Sequence, residues 1–187
     1  VAKVLVITGP SGVGKGTLIR ALLARIPELA LSVSATTRAP RPGERDGLSY
    51  HFLAPEQFET HIAAGDFVEH ARYSGNSYGT LRSELERQLA TGTPVVLEIE
   101  VQGARQIRAA MPQAVAVFIA PPAREALRER LRGRGTDSPE QISLRLQSAD
   151  AELDARKEFA HVVVNDDLQL AIDELEAIVR NSLAEPL

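Results

Sequence analysis

Between residues 3 and 26 the chain reads KVLVIT, then GPSGVGKG, then TLIRALLARI. The first run is continuous, apolar and β-branched, as a buried strand is, and the last carries Leu18, Leu22 and Ile26 on one helical face. The pattern Gly9-x-x-x-x-Gly14-Lys15 therefore lies where a strand hands over to a helix, the context a phosphate-binding loop requires. Glycines let backbone N–H groups turn inward around phosphate oxygens. The helix N-terminus adds its positive dipole end, and lysine adds a mobile charge. The loop Gly9, Pro10, Ser11, Gly12, Val13, Gly14, Lys15, Gly16 and Thr17 is thus the candidate nucleotide site. Gly16 stands where this pattern usually has Ser or Thr, and Thr17 supplies a hydroxyl one residue later. Thr17 is the candidate metal-side ligand, with three routes open: to Mg²⁺, to a phosphate, or to the ion through water.

The rest of the chain alternates in the same way. PVVLEI (94–99), AVAVFIA (114–120) and HVVVN (161–165) read as further buried strands. Helical spacing recurs at Leu127 and Leu131, and at Leu168, Ile172, Leu175 and Ile178–Val179. Alternation of strand and helix predicts an α/β fold, a parallel sheet with helices on both faces. Two stretches break the rhythm. Residues 32–80 hold short alternating runs, a Pro/Gly loop and one short helix, PEQFETHIAAG, and predict a small mixed-sheet insert. Residues 123–157 are charged and helical around GRGTDSPE, with Ser138 as a candidate helix cap. Both stretches look like attachments, of the kind that form mobile covers over active sites.

At 187 residues the chain fits one domain with core segments 1–31, 81–122 and 158–187, an insert at 32–80 and a helical lid at 123–157. A formal net charge of −4 argues against a nucleic-acid surface, which needs a basic face. Without cysteine there are no disulfides and no thiolate metal sites. No apolar run approaches the roughly 20 residues of a membrane span. The first residues, VAKVLVITG, are too short for a signal core, so a cytoplasmic protein is the expectation.

A phosphate loop implies a nucleotide but no particular reaction. A hydrolase must position water, and a kinase acting on an alcohol needs a base. A kinase acting on another phosphate needs cations instead, because its acceptor is already an anion. Arg38, Arg41 and Arg45 on a Pro-stiffened loop, Arg130, Arg132 and Arg134 in RLRGRGT, and Arg145 could supply them. Taken alone, each group reads more readily as solvated surface than as a site.

The segments GPSGVGKGT, SVSATTRAPRPGERDGLSYHF, FVEHARYSGNSYGT, LEIEVQGARQI, APP, RLRGRGT and VVVNDDL, in this order and spacing, resemble the guanylate kinases. The resemblance covers nearly the whole chain, and its long second motif is far more specific than the phosphate loop. It implies a phosphate-loop core, a GMP-binding insert and a lid that close on ATP and GMP, with Mg²⁺ accompanying ATP. It assigns Ser34, Arg38, Arg41, Tyr50, Glu69, Tyr78 and Thr80 to GMP, Arg134 and Arg145 to phosphate stabilisation, and Asn165 to the neighbourhood of the ATP base. Lys15, Arg38, Arg134 and Arg145 are the expected catalytic residues. Glu100 stands where aspartate is common, which leaves a GMP contact and a metal–water contact both open. Small-molecule substrates, and a monomer or small homo-oligomer, complete the expectation.

The side-chain chemistry agrees with this assignment. A carboxylate such as Glu69 can accept from guanine N1–H and N2–H together, and hydroxyls such as Ser34 and Thr80 suit the O6 and N7 acceptors. Tyr50 and Tyr78 can donate to a monophosphate, with forked bonds from Arg38 and Arg41. Two other readings are a guanylate-kinase-like binding module, which the intact Gly9, Gly14 and Lys15 argue against, and a kinase for another monophosphate such as AMP, which the insert motif argues against. The histidines His51, His61, His70 and His161 show no ligand spacing and read as structural.

Overall fold

A computed structural model describes residues 3–132 and 139–184. The chain runs β1 (Val4–Thr8), α1 (Lys15–Arg25), β2 (Ala30–Leu31), β3 (Ala35–Thr36), β4 (His51–Phe52), α2 (Pro55–Ala64), β5 (Phe67–Tyr73), β6 (Asn76–Leu81), α3 (Arg82–Ala90) and β7 (Val95–Glu98). It continues through α4 (Val101–Ala110), β8 (Val115–Ala120), α5 (Arg124–Arg132), α6 (Pro139–Asp154), a short 3-10 turn (Ala155–Glu158), β9 (His161–Val164) and α7 (Leu168–Ala184).

Five strands form a parallel sheet in the order β2-β7-β1-β8-β9, so the strand that feeds the phosphate loop is central. Its residues alternate between two cores, as strand geometry requires. Leu5 and Ile7 pack with Leu18, Leu22, Leu175 and Val179 on one face. Val4 and Val6 pack with Leu85, Ala104 and Ile107 on the other. Both faces are covered by helices, as the alternation predicts. Leu127 and Leu131 of α5 belong to the first of these cores, so this half of the expected lid is anchored on the parallel sheet.

Residues 35–81 carry a second, mixed sheet in the order β4-β3-β6-β5. The run LSVSATT divides between the two sheets. Ala30–Leu31 extends the parallel sheet beside β7, while Ala35–Thr36 joins β4 and β6. Periodicity reports burial and not pairing partner, so this division has no signal in the run itself. The second sheet has its own small core, in which Phe58 of α2 stacks on Phe67 of β5 with ring centroids 4.5 Å apart. Helix α2 begins at Pro55, and Gln57 Oε1 accepts from the Ala54 N–H at 2.8 Å, closing the first turn.

Because that core is separate and small, it should fail locally. Phe58→Ala removes a ring that is 1% exposed and is expected to lower stability by about 3–5 kcal/mol. Hydrogen exchange should rise first in β5, β6 and α2, with the amides of β1 and β8 still protected. Equal loss of protection in both sheets would show a single cooperative core.

Candidate active site

The phosphate loop exists because Gly9 passes hard against the neighbouring strand. Its φ of 142° and the 2.3 Å separation of an added Cβ from the Ile119 carbonyl oxygen exclude any side chain there. From that point the loop runs beyond the end of β1 to Gly14, the N-cap of α1. Lys15 is buried, and its Nζ donates to the carbonyls of Gly9 and, at 3.3 Å, Pro10. Asn165 lies behind the loop, its Nδ2 donating to the Val13 carbonyl at 2.7 Å. Arg130 braces the same corner, donating to the carbonyls of Asn165 at 2.9 Å and Val13 at 3.4 Å. Its charge thus supports the loop backbone.

A cleft of about 290 Å³ joins this loop to the insert. Ser11, Gly12, Gly14, Lys15, Gly16 and Thr17 line one end, and Ser34, Arg38, Arg41, Tyr50, Glu69 and Tyr78 line the other, with Glu100 between. Among the described candidates, Gly9, Pro10, Val13, Thr80 and Asn165 stand outside the lining. Asn165 is behind the loop, and Thr80 is fully buried behind Glu69, to whose Oε1 its hydroxyl donates at 2.7 Å. Arg134 and the side chain of Arg145 lie outside the described residues.

Each wall has its own electrostatics. Arg38 donates to Glu44 at 2.8 Å, and its guanidinium carbon lies 5.2 Å from the Tyr50 ring centroid. Glu44 also accepts from the Arg41 N–H at 2.7 Å, which ties the two arginine positions into one turn. The bond from Arg38 holds the Glu44 carboxyl below its ordinary range, and burial pushes the Tyr50 phenol up. Glu69 is 3% exposed, and burial raises its carboxyl to about 7 against the lowering effect of its bonds from Thr80.

Two carboxylates on the donor side escaped the motif-based reading. Glu98, at the end of β7, lines the cleft. Its oxygens would lie 3.8 and 3.9 Å from a Cβ added to Gly16, so the missing side chain of the loop faces an acid. Burial raises its pKa although Lys15 pulls the other way. Glu152 of α6 accepts from the Ser11 N–H at 3.3 Å. Burial and the Glu100 carboxyl, with which it shares a hydrogen bond, push Glu152 well above the usual carboxylate range. The string EIE offered a signal for Glu98. Glu152 had none, since its contact spans 141 residues.

Oxygen donors suited to a hard cation line the cleft at the loop. Thr17 is exposed, its Oγ1 accepts a 3.3 Å bond from Arg20, and Glu98 and Glu100 line the same cleft. Glu100 Oε2 is buried without a hydrogen-bond partner among the described residues. This set fits Mg²⁺, which favours carboxylate and hydroxyl oxygen and keeps several waters.

A family model described as guanylate kinase matches residues 1–182. Relatives named guanylate kinase include one from Trichormus variabilis, 55% identical over 174 residues, 93% of this chain and 87% of the relative. Another, from Frankia casuarinae, is 54% identical over 177 residues, 95% of this chain and 96% of the relative. The crystal structure of guanylate kinase from Anaplasma phagocytophilum aligns with a TM-score of 0.81 at 33% identity, covering 99% of this chain and 88% of that one.

The buried Glu69 carboxyl sets a pH dependence. A folded-state value of about 7 means the folded chain holds this proton more tightly than the unfolded chain does. Its contribution to stability is full below the ordinary carboxylate value and is lost as pH rises through about 7. Glu69→Gln keeps an acceptor for Thr80 but cannot ionise. Its melting temperature relative to wild type is expected to climb between about pH 5 and 8 and then level off. A difference that is constant across this range would contradict the burial of an ionisable group at this position.

Proposed function

The chain belongs to the guanylate kinase family, and from that premise we propose how its cleft transfers the γ-phosphoryl group of ATP to GMP, giving ADP and GDP. One observation carries the reading: a single cleft is lined by a phosphate loop at one end and, at the other, by a buried carboxylate with hydroxyl and guanidinium donors.

ATP lies with its phosphates over residues 9–17, where backbone N–H groups and Lys15 hold the β- and γ-phosphates. Asn165 supports the loop near the adenine end. GMP lies across the insert, its base against Glu69 and Ser34 and its phosphate against Arg38, Arg41, Tyr50 and Tyr78. Thr80 acts on the base through Glu69, because its hydroxyl proton is directed to that carboxylate. The acceptor phosphate is already an anion, so no general base is required. An oxygen of GMP forms the new bond to the γ-phosphorus as the bond to the β–γ bridging oxygen breaks, and ADP leaves with that electron pair. The residues' task is to bring two anions together and to stabilise charge on the migrating group. Lys15, Arg38, Arg41 and, by family resemblance, Arg134 and Arg145 supply that charge.

Mg²⁺ bound with ATP would neutralise its β- and γ-oxygens. Thr17, Glu98 and Glu100 would hold it, directly or through water. The substrates are small molecules, with no nucleic acid or membrane partner. No helix among the described residues is long and apolar enough to cross a membrane. We assign the enzyme to the cytoplasm, as a monomer or small homo-oligomer.

Three measurements test the reading. ADP formation from ATP should be fast with GMP and slow with AMP, UMP and dTMP, and a preference for any of the other three would overturn the assignment. Lys15→Ala should fold normally and lose most of its turnover, at least about a hundredfold. Near-normal turnover would remove the phosphate loop from the chemistry. Adenine presents a lone pair at N1 and no 2-amino group, so it both loses the Glu69 bonds and meets a repulsion. Glu69→Ala is therefore expected to lower kcat/KM for GMP by on the order of 10²-fold, to leave the KM for ATP nearly unchanged and to raise AMP relative to GMP. An unchanged GMP:AMP ratio would show that guanine is read elsewhere, first at Glu100.

A further inference from the structure

Glu69 belongs to β5, but the surface against which it lies belongs to α4. A Cβ added to Gly103, in the first turn of that helix, would stand 2.1 Å from Glu69 Oε2 and 2.9 Å from its Cδ. Real Cβ atoms do not approach so closely, so one partner would have to move. The helix is poorly placed to do so. Gln106, one turn further on, clamps α4 to β5 by donating to the His70 carbonyl at 2.7 Å and accepting from the His70 N–H at 3.1 Å. Val101, Ala104 and Ile107 fix the same helix in the buried core. Ile99 Cδ1, 3.4 Å from the added carbon, closes a further side. The carboxylate is therefore the part that gives, and one of its oxygens is already directed by Thr80.

We propose that Gly103 is a positioning residue for base specificity: its missing side chain is the slot into which Glu69 Oε2 fits, so that Thr80 on one oxygen and the bare helix turn on the other fix the plane that the carboxylate presents to guanine. Gly103 touches neither substrate in this account and acts through Glu69. The proposal rests on the reading that Glu69 recognises the base. It extends that recognition to the VQGA segment at residues 101–104, whose glycine stands within a helix, where it is intrinsically less favourable than alanine.

The test is a cycle of Gly103→Ala with Glu69→Asp and Glu69→Ala, scored by kcat/KM for GMP and AMP and by the KM for ATP. Gly103→Ala alone should raise the KM for GMP and lower the GMP:AMP preference by about tenfold or more, with the KM for ATP unchanged. Glu69→Asp, one methylene shorter, should lower GMP preference in the wild-type background. In the Gly103→Ala background it should be neutral or restorative, because the shorter acid makes room for the methyl group. In the Glu69→Ala background Gly103→Ala should have no further effect on base preference. If Gly103→Ala does not fold alone but folds beside Glu69→Ala, the clash is with Glu69 and the proposal stands. If it fails to fold in both backgrounds, or folds and leaves the preference intact while Glu69→Ala abolishes it, Gly103 does not act through Glu69. If Glu69→Ala itself leaves the preference intact, the reading of Glu69 falls and this proposal with it.

Discussion

The close approach of Gly9 to the Ile119 carbonyl governs the donor half of the molecule. A strand in the middle of a parallel sheet must leave the sheet at once if its following helix is to begin over the strand ends. Only a residue without Cβ can turn so near the adjacent strand. The consequences follow in order. The N-cap of α1 falls at Gly14, which lines the cleft, and Lys15 is buried with its ammonium bonded to the carbonyls of Gly9 and Pro10. Asn165 and Arg130, from the far end of the chain and from α5, fasten the same loop from behind.

The acceptor half is built on the opposite principle, a buried anion instead of buried donors. Glu69 is almost wholly withdrawn from water, and burial raises its carboxyl toward neutrality. A group held in that state is sensitive to what pairs with it. Two N–H donors of one base edge stabilise the ionised form, whereas an adenine edge does not. Glu98 and Glu100 line the cleft between the halves, so two nucleotides brought beside them need cations to accompany their phosphates. The insert holds Arg38 to Glu44 by its side chain and Arg41 to the same carboxylate by its backbone N–H, which leaves the Arg41 guanidinium exposed at the cleft.

Much of this was legible in the chain. β1, β7, β8 and β9 are short continuous apolar runs, and α1 and α7 carry apolar residues at helical spacing, because the burial that holds them also dictates their composition. The loop was legible because its glycines are demanded by backbone geometry, and the insert because its short alternating runs and Pro/Gly loop break the strand–helix rhythm. Three features were not. Ala30–Leu31 joins the parallel sheet through hydrogen bonds to β7 that leave no mark on two residues. Glu152 meets Ser11 only once α6 folds back over the loop. Gly103 reads as a poor helix former, and its reason lies in a side chain 34 residues earlier in the sequence. Each is a contact between segments remote in sequence, which local pattern cannot carry.

The central claim is that one cleft holds both nucleotides with their phosphates facing each other. A single molecule in which adenosine and guanosine are joined through a chain of phosphates tests it most directly. Inhibition kinetics should show such a compound competing with ATP and with GMP alike, and binding far more tightly than either nucleotide, since joining the two makes the second contact intramolecular. Competition against only one substrate, or affinity no better than that of the separate nucleotides, would contradict a shared cleft.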